Sequence, residues 1–432
     1  MTHRLPIAVL GAGAAGCATA LALAHAGHDV TLIDRRGLLE GTSNGTPARL
    51  GLGFHYADRA TALLLLEHTV DFVTRLPGST LADRPGAPDS VRHARYFIAR
   101  DSLFTPDELR GTHRALAARY AELWQEHEGR LPYGEPEQFL RELAPEEYEH
   151  DTATARVVAG FDTREVLMDW PHVRRALLDA VTAEPRVRVV TGAEVVGVDR
   201  HAPFRSVVRI EDAAGRAAQL GASLVVNCTW ENIDRLTASA GLPVNAEAVN
   251  RLKALLELRL PASLVDLPST FFCIGPFAMF SNMGDGRGMV TYAPDTNVRA
   301  YPAGDGVAEI MRALDGQTSR KADDELAARI LAGVASFIPG MAGAEPLALR
   351  YGVVRTHGSS ALDDRGSDIH RRDYSGVRVE APDLITNAAT KLIYFLRNAD
   401  DVTTRVAEVL PPPTDRARPG DWVTPVAAGA RR

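Results

Sequence analysis

The chain has 432 residues, 45% of them hydrophobic and 24% charged, with a formal net charge of −7. That length supports two or three units with substantial cores, and the composition is that of an ordinary folded protein. The balance lacks the basic stripe that nucleic acid requires, and no apolar run approaches the roughly 20 residues that cross a bilayer.

The first predicted element is a strand, Ile7-Ala8-Val9-Leu10, which leads into Gly11-Ala12-Gly13-Ala14-Ala15-Gly16. A helix of small residues follows, and a second strand, Val30-Thr31-Leu32-Ile33, ends on Asp34. Strand, glycine turn, helix and strand closing on a carboxylate are the parts of a dinucleotide site. Gly11 permits the turn, Gly13 lets the backbone approach a pyrophosphate, and Gly16 lets the helix lie on the strand. The free N–H groups of the helix start, at Ala14 and Ala15, and its positive dipole end meet the phosphates. Asp34 is placed to accept from a ribose, which argues against a 2′-phosphate. Arg35 and Arg36 read either as a phosphate clamp or as solvated loop arginines; Arg35 is kept with the site. The position of the motif at the start of a long chain suits FAD, with nicotinamide cofactors as the alternative.

After a glycine-rich loop, helical periodicity returns over 60–76 and 106–129, with a short strand Tyr96-Phe97-Ile98-Ala99 between. Trp170-Pro171 opens a helix that feeds two short strands around a turn, at 187–190 and 194–199. A further pair is 206–211 and 222–226, the latter apolar enough for a buried parallel strand. From 253 the pattern becomes that of an antiparallel sheet, with strands at 255–260, 271–275, 277–281 and 288–292. Helices are predicted at 307–314 and 324–337, a short strand at 384–386, and a last helix over 391–410. The fold class expected is α/β: a Rossmann-like FAD-binding domain with a βαβ N-terminus and an inserted α+β substrate domain carrying an antiparallel sheet. The nucleotide-binding pieces are assigned to 1–55, 155–235 and 350–410, the substrate domain to 56–154 and 236–349. The proline-rich stretch from Pro411 to 432 is expected to be a surface extension.

The opening residues are a core strand rather than a signal peptide, so a cytoplasmic protein is expected. Cys17, Cys228 and Cys273 lack metal spacing and read as buried thiols. The two N-x-T sequons, at Asn44 and Asn227, then carry no meaning.

Taken together these residues resemble the FAD-dependent oxidoreductases of the D-amino-acid oxidase class, over most of the chain and in order. That class includes glycine and sarcosine oxidases, dimethylglycine dehydrogenase, and flavin-linked glycerol-3-phosphate and 2-hydroxyglutarate dehydrogenases. The N-terminal motif is its most specific part. The resemblance implies that Ser43 meets the pyrophosphate, and that Arg49, six residues on, approaches the flavin ring. A cation there stabilises charge that builds on reduction; an ordinary surface arginine is the alternative. It implies backbone contacts from Val195 or Val196 to adenine. In Leu224-Val225-Val226-Asn227-Cys228-Thr229-Trp230, Thr229 matches a cofactor contact, but Trp230 stands where the family has glycine. The last strand and loop, with Asn387, Thr390, Lys391 and Leu392, match the segment whose helix start faces the flavin's N1, although Ala389 and Thr390 replace the glycines of the glycerol-3-phosphate branch.

For the substrate, Gly352-Val353-Val354-Arg355 is similar to a segment whose arginine pairs with a carboxylate, one residue longer and without the proline. Arg355 is thus either a substrate contact or a structural ion pair, and Arg371 and Arg372 compete for the same role. No cysteine follows Cys273, which excludes a C-terminal thioether to flavin. His55 is the one histidine placed for covalent attachment, so non-covalent FAD is expected. Met279, Phe280 and Tyr292 line the substrate pocket or form core. The activity expected is hydride transfer to FAD from a C–N bond of an amino acid or secondary amine, with Arg49, Lys391 and Arg355 as catalytic candidates. The alternatives are oxidation of a 2-hydroxy acid or polyol, an NAD(P)H-driven monooxygenase, and a flavin-binding protein without catalysis. The absence of a second dinucleotide motif leaves oxygen or an electron carrier as acceptor.

Overall fold

The computed structural model describes residues 5–44, 49–372, 376–410 and the strand Val423–Pro425. Residues 45–48, in the loop after Ser43, and the rest of the stretch from 411 lie outside it. Strand Ile7–Leu10 is buried throughout and runs parallel to both Val30–Ile33 and Leu224–Asn227. This triplet is the centre of a six-stranded sheet that continues through Leu384–Asn387 to Val377–Ala381 on one side and to Val187–Val190 on the other. Strands buried on both faces need apolar residues at every position, which is why Leu224-Val225-Val226 shows no alternation.

A nine-stranded, mostly antiparallel sheet forms the second layer. Its longest pairing joins Ala248–Arg259 to Glu345–His357, and Ala94–Ala99 lies parallel to Ser269–Cys273. Two stretches grouped with the nucleotide-binding pieces fall here instead. Val157–Thr163 pairs with Ala94–Ala99, and residues 350–357 run along Ala248–Arg259. Local pattern could not assign them, because the choice of sheet is made by long-range pairing. Likewise the turn after Val187–Val190 separates two sheets, since Ala193–Ala202 belongs to a small antiparallel sheet with Arg205–Asp212 and Ala217–Ala222.

The helices start on local chemistry. Thr105 and Glu108 form a reciprocal cap, with Pro106 in the first turn, at the start of Pro106–Glu126. Asp58 accepts from Thr61 N–H to open Arg59–Arg75, and Asp169 accepts from His172 N–H to open Trp170–Ala183. Among the described residues no helix is long and apolar enough to cross a membrane.

Helix Pro106–Glu126 buries His113 edge-on between Phe54 and Phe161, with Nε2 2.9 Å from the Phe54 carbonyl. Burial holds this imidazole down to about 4, and burial together with Arg397 does the same to His68. The unfolded histidine, with its ordinary value near 6.5, then takes up a proton that the folded one refuses. Stability is therefore complete above pH 6.5 and lost as pH falls toward 4. Between pH 6.5 and 5 each histidine is expected to remove about 1.5 kcal/mol. Urea midpoints of the wild type and of His113→Phe across that range check this; an unchanged acid slope in the variant contradicts it.

Candidate active site

The carboxyl ends of the central parallel strands and one face of the nine-stranded sheet enclose a cavity of about 520 Å³. On the first side stand the glycine turn, Asp34 and Thr229; on the second, Arg251, Lys253, Met279 and Gly352. That volume and this position outside the strand ends are those of a cofactor site.

The glycines divide their roles as the motif requires. Gly11 has φ +90°, and a Cβ there would stand 2.6 Å from the Cys228 carbonyl oxygen. A Cβ at Gly16 would collide with the Gly11 carbonyl, so this glycine lies behind the cavity and sets helix against strand. At Gly13 the nearest atom is the Ser43 hydroxyl at 3.3 Å, so its small size opens the turn toward the cavity. Gly13, Ala14 and Ala15 line it, and Ser43 Oγ accepts from Ala14 N–H at 3.2 Å. Asp34 accepts from Ala12 N–H at 2.6 Å and from Arg36 N–H at 2.7 Å, so it braces the turn as well as facing the cavity.

Arg35 and Arg36 also line the cavity, but they are not solvated loop arginines. Both guanidinium groups grip Asp315, Arg35 at 3.0 and 3.1 Å and Arg36 Nε at 2.9 Å. A 2′-phosphate would have to displace that carboxylate. Val195 lies in the wall and its carbonyl accepts from Arg235 at 3.1 Å. Val196 does not line the cavity; it is the extra residue of a bulge, between the pairs Ile210↔Val195 and Arg209↔Gly197.

Trp230 keeps the backbone of the glycine it stands for, with φ +57°. A non-glycine residue pays roughly 1–3 kcal/mol for that conformation. The indole offsets it: Nε1 donates to the Val353 carbonyl at 2.9 Å, and the ring packs beside Leu252, Tyr301 and Ile310. Together with Asn250, which donates to the Glu231 carbonyl, it fastens the loop after Leu224–Asn227 to the larger sheet.

Arg49 donates to Tyr96 Oη at 2.6 Å and to Glu165 Oε1 at 3.1 Å, and its guanidinium lies 3.8 Å from the Phe271 ring centre. Glu165, 1% exposed, also accepts from Leu52 N–H at 2.8 Å. Arg49 is thus a fixed cation whose charge is balanced from behind. Lys391 precedes the short turn Leu392–Tyr394 that runs into helix Phe395–Val409, and its ammonium sits 5.2 Å from the Tyr56 ring centre. Burial lowers its affinity for a proton, Tyr56 opposes that, and Arg372 adds to it. Burial raises the Tyr56 phenol, but Lys391 and Arg372 pull it below its ordinary value. Asn387, Thr390 and Leu392 line the same wall, with Asn387 held by Thr19 and Asn398.

Arg355 does not line the cavity. It is 3% exposed and forms two 2.7 Å bonds to Asp234 and one of 3.1 Å to Asn250. Gly352, Val353 and Val354 line the cavity, whereas the next side chain, Arg355, turns away from it onto Asp234. Of its competitors Arg372 lines the cavity and Arg371 does not. Of the three apolar candidates Met279 lines it, whereas Phe280 is core and Tyr292 packs on Phe337. Tyr56, Arg251 and Lys253 were not anticipated; the one signal in the sequence was two cations at alternate positions of an apolar strand.

The wall fits FAD. The N-terminus of Ala14–His25 has no side-chain cap of its own at Gly13 and faces the cavity. Thr42 Oγ1, His55 Nδ1 and Arg49 Nε, from residues in the same wall, are buried without protein partners. The three cysteines are buried and free.

The sequence pattern of the family described as "DAO: FAD dependent oxidoreductase" matches residues 6–389. No curated protein matches the sequence. Among solved structures the chain is similar to glycine oxidase from Geobacillus kaustophilus, with 17% identity and a TM-score of 0.62 over 94% of this chain and 95% of that one. L-alpha-glycerophosphate oxidase from Mycoplasma pneumoniae, solved with FAD bound, gives 16% and 0.61 over 94% and 95%. L-proline dehydrogenase from P. horikoshii gives 15% and 0.58 over 94% of each chain. With the dinucleotide turn at one side of a single cavity and the antiparallel sheet closing the other, the chain belongs to the DAO family of FAD-dependent oxidoreductases.

Proposed function

We propose that the protein oxidises the C–N bond of an amino acid or secondary amine that carries negative charge. The observation that carries this reading is the cluster of Arg251, Lys253, Arg372 and Lys391 on one cavity wall. When bound, FAD supplies the two-electron acceptor, and oxygen or an electron carrier takes the electrons on. The chain's own residues bind and orient. Arg372 and Arg251 hold the substrate's anionic group, Met279 and Leu255 give its carbon skeleton an apolar surface, and the two sheets exclude water. Lys391 and Arg49 provide fixed positive charge where negative charge develops. An amine that enters neutral needs no further base.

One observation favours a 2-hydroxy acid or polyol as the second reading. Burial and the neighbouring cations lower the Lys253 ammonium to about 7, so near neutral pH it can accept the proton that a hydroxyl must lose. Purified protein is expected to show a flavin spectrum, with the colour left in the supernatant after denaturation. Anaerobic addition of amino acids is expected to bleach it. Bleaching by hydroxy acids alone moves the assignment to the second reading, an unbleachable flavin leaves a binding protein, and colour in the pellet assigns a covalent link at His55.

A further inference from the structure

Glu231 stands in the cavity wall, one residue after the tryptophan that takes the place of the family's glycine. It is 7% exposed, and among the described residues its own N–H is the one group that bonds its carboxylate. The charged groups that act on it are Arg36, Arg35 and Asp34. The two arginines are committed elsewhere, since both hold Asp315. Burial outweighs their attraction and lifts the Glu231 carboxyl above the ordinary carboxylate range. A carboxylate withdrawn from water with neither a cation nor a set of donors is costly, unless whatever fills the cavity donates to it.

The backbone around Glu231 is fixed from the larger sheet. Trp230 Nε1 donates to the Val353 carbonyl, and Asn250 Nδ2 donates to the Glu231 carbonyl at 3.3 Å. Asn250 in turn accepts from the buried Arg355. The side chain is therefore set in place before any ligand enters. Its position in the short turn Trp230–Asn232, which runs into helix Ile233–Ser239, would by itself favour an acid. That role does not require a carboxylate in the cavity wall within reach of the Asp34 charge. Asp34 already carries a backbone amide on each oxygen, which leaves it less capacity for a vicinal diol than a free carboxylate has.

We infer that Glu231 is a second ribose carboxylate, accepting from one hydroxyl of the adenosine 2′,3′-diol of FAD while Asp34 accepts from the other. This rests on Asp34 as the ribose contact and is independent of which substrate the enzyme oxidises. A nucleotide esterified with phosphate at either hydroxyl would lose a donor and bring negative charge against two carboxylates. The pair thus selects an unmodified adenosine.

The test reads the choice of cofactor rather than turnover. Holoenzyme is incubated with excess FAD and an equal excess of an analogue lacking the 2′- or the 3′-hydroxyl of the adenosine ribose, until the bound ratio is constant. The flavins are then released by denaturation and counted by chromatography. Wild type is expected to prefer FAD over each analogue by roughly tenfold or more, the worth of a hydrogen bond to a charged acceptor. Glu231→Leu is expected to bring one of the two preferences within about twofold and to leave the other as it was. Glu231→Gln keeps an acceptor oxygen, so the same preference should fall only in part, and this variant carries the test by itself if leucine is not tolerated. Preferences over both analogues that stay unchanged, or that fall by one common factor as a displaced loop would produce, overturn the inference. A wild type that distinguishes FAD from neither analogue overturns it as well, together with the placement of Asp34 at the ribose.

Discussion

Replacing Arg355 by methionine is expected to cost about 3–5 kcal/mol of stability and to leave substrate binding unchanged. Both partners of its ion pair are out of water, Arg355 at 3% and Asp234 at 2% exposure. Removing the cation strands the Asp234 carboxylate and also withdraws a donor from Asn250. Because desolvation of the pair is already severe, neutralising both sides is milder than breaking one. Asp234→Asn combined with Arg355→Met should therefore recover much of the loss. Urea denaturation of the two variants measures the stability, and the apparent KM of the surviving enzyme reads the role. A KM within about twofold of wild type fits a pair that fastens helix Ile233–Ser239 to the larger sheet. A large rise in KM with normal stability would return Arg355 to the substrate.

Replacing Lys391 by methionine is expected to slow reduction of the enzyme by substrate about 10²–10³-fold, in line with loss of one preorganised electrostatic donor. Methionine keeps most of the side-chain volume, so the packing against Tyr56 survives and FAD should remain bound. The variant should also show a lower flavin reduction potential and a Tyr56 phenol that titrates higher, because Lys391 is the largest of the cations that lower it. A purely structural lysine would move none of these. Stopped-flow reduction, a redox titration and an ultraviolet pH titration of the variant make the comparison, and normal values of all three would sink the assignment.

Much of the cofactor side was legible in the chain because its determinants are local. The turn Gly11 to Gly16 is dictated by backbone clashes within a few residues and with one neighbouring strand. Helix starts at Thr105 and Asp169 rest on caps three residues long. Trp230 departs from the family's glycine, yet the backbone there holds the positive φ of a glycine, and the indole bonds a carbonyl on another strand.

The substrate side was written less plainly. By itself the sequence determined the βαβ unit and the carboxylate at Asp34, whereas Ser43, Arg49 and Lys391 were singled out by the family resemblance. Tertiary structure alone decided which arginine reaches the cavity. Arg355 and Arg372 look alike along the chain, but the first turns onto Asp234 and an irregular segment brings the second into the wall. It also decided that Arg35 and Arg36 meet Asp315, some 280 residues away, and that 350–357 joins the larger sheet. The physical reason is the same in each case. A turn or a cap is settled by sterics and hydrogen bonds between near neighbours, whereas the partner of a charge or a strand is chosen by burial, among groups that only the folded chain brings together.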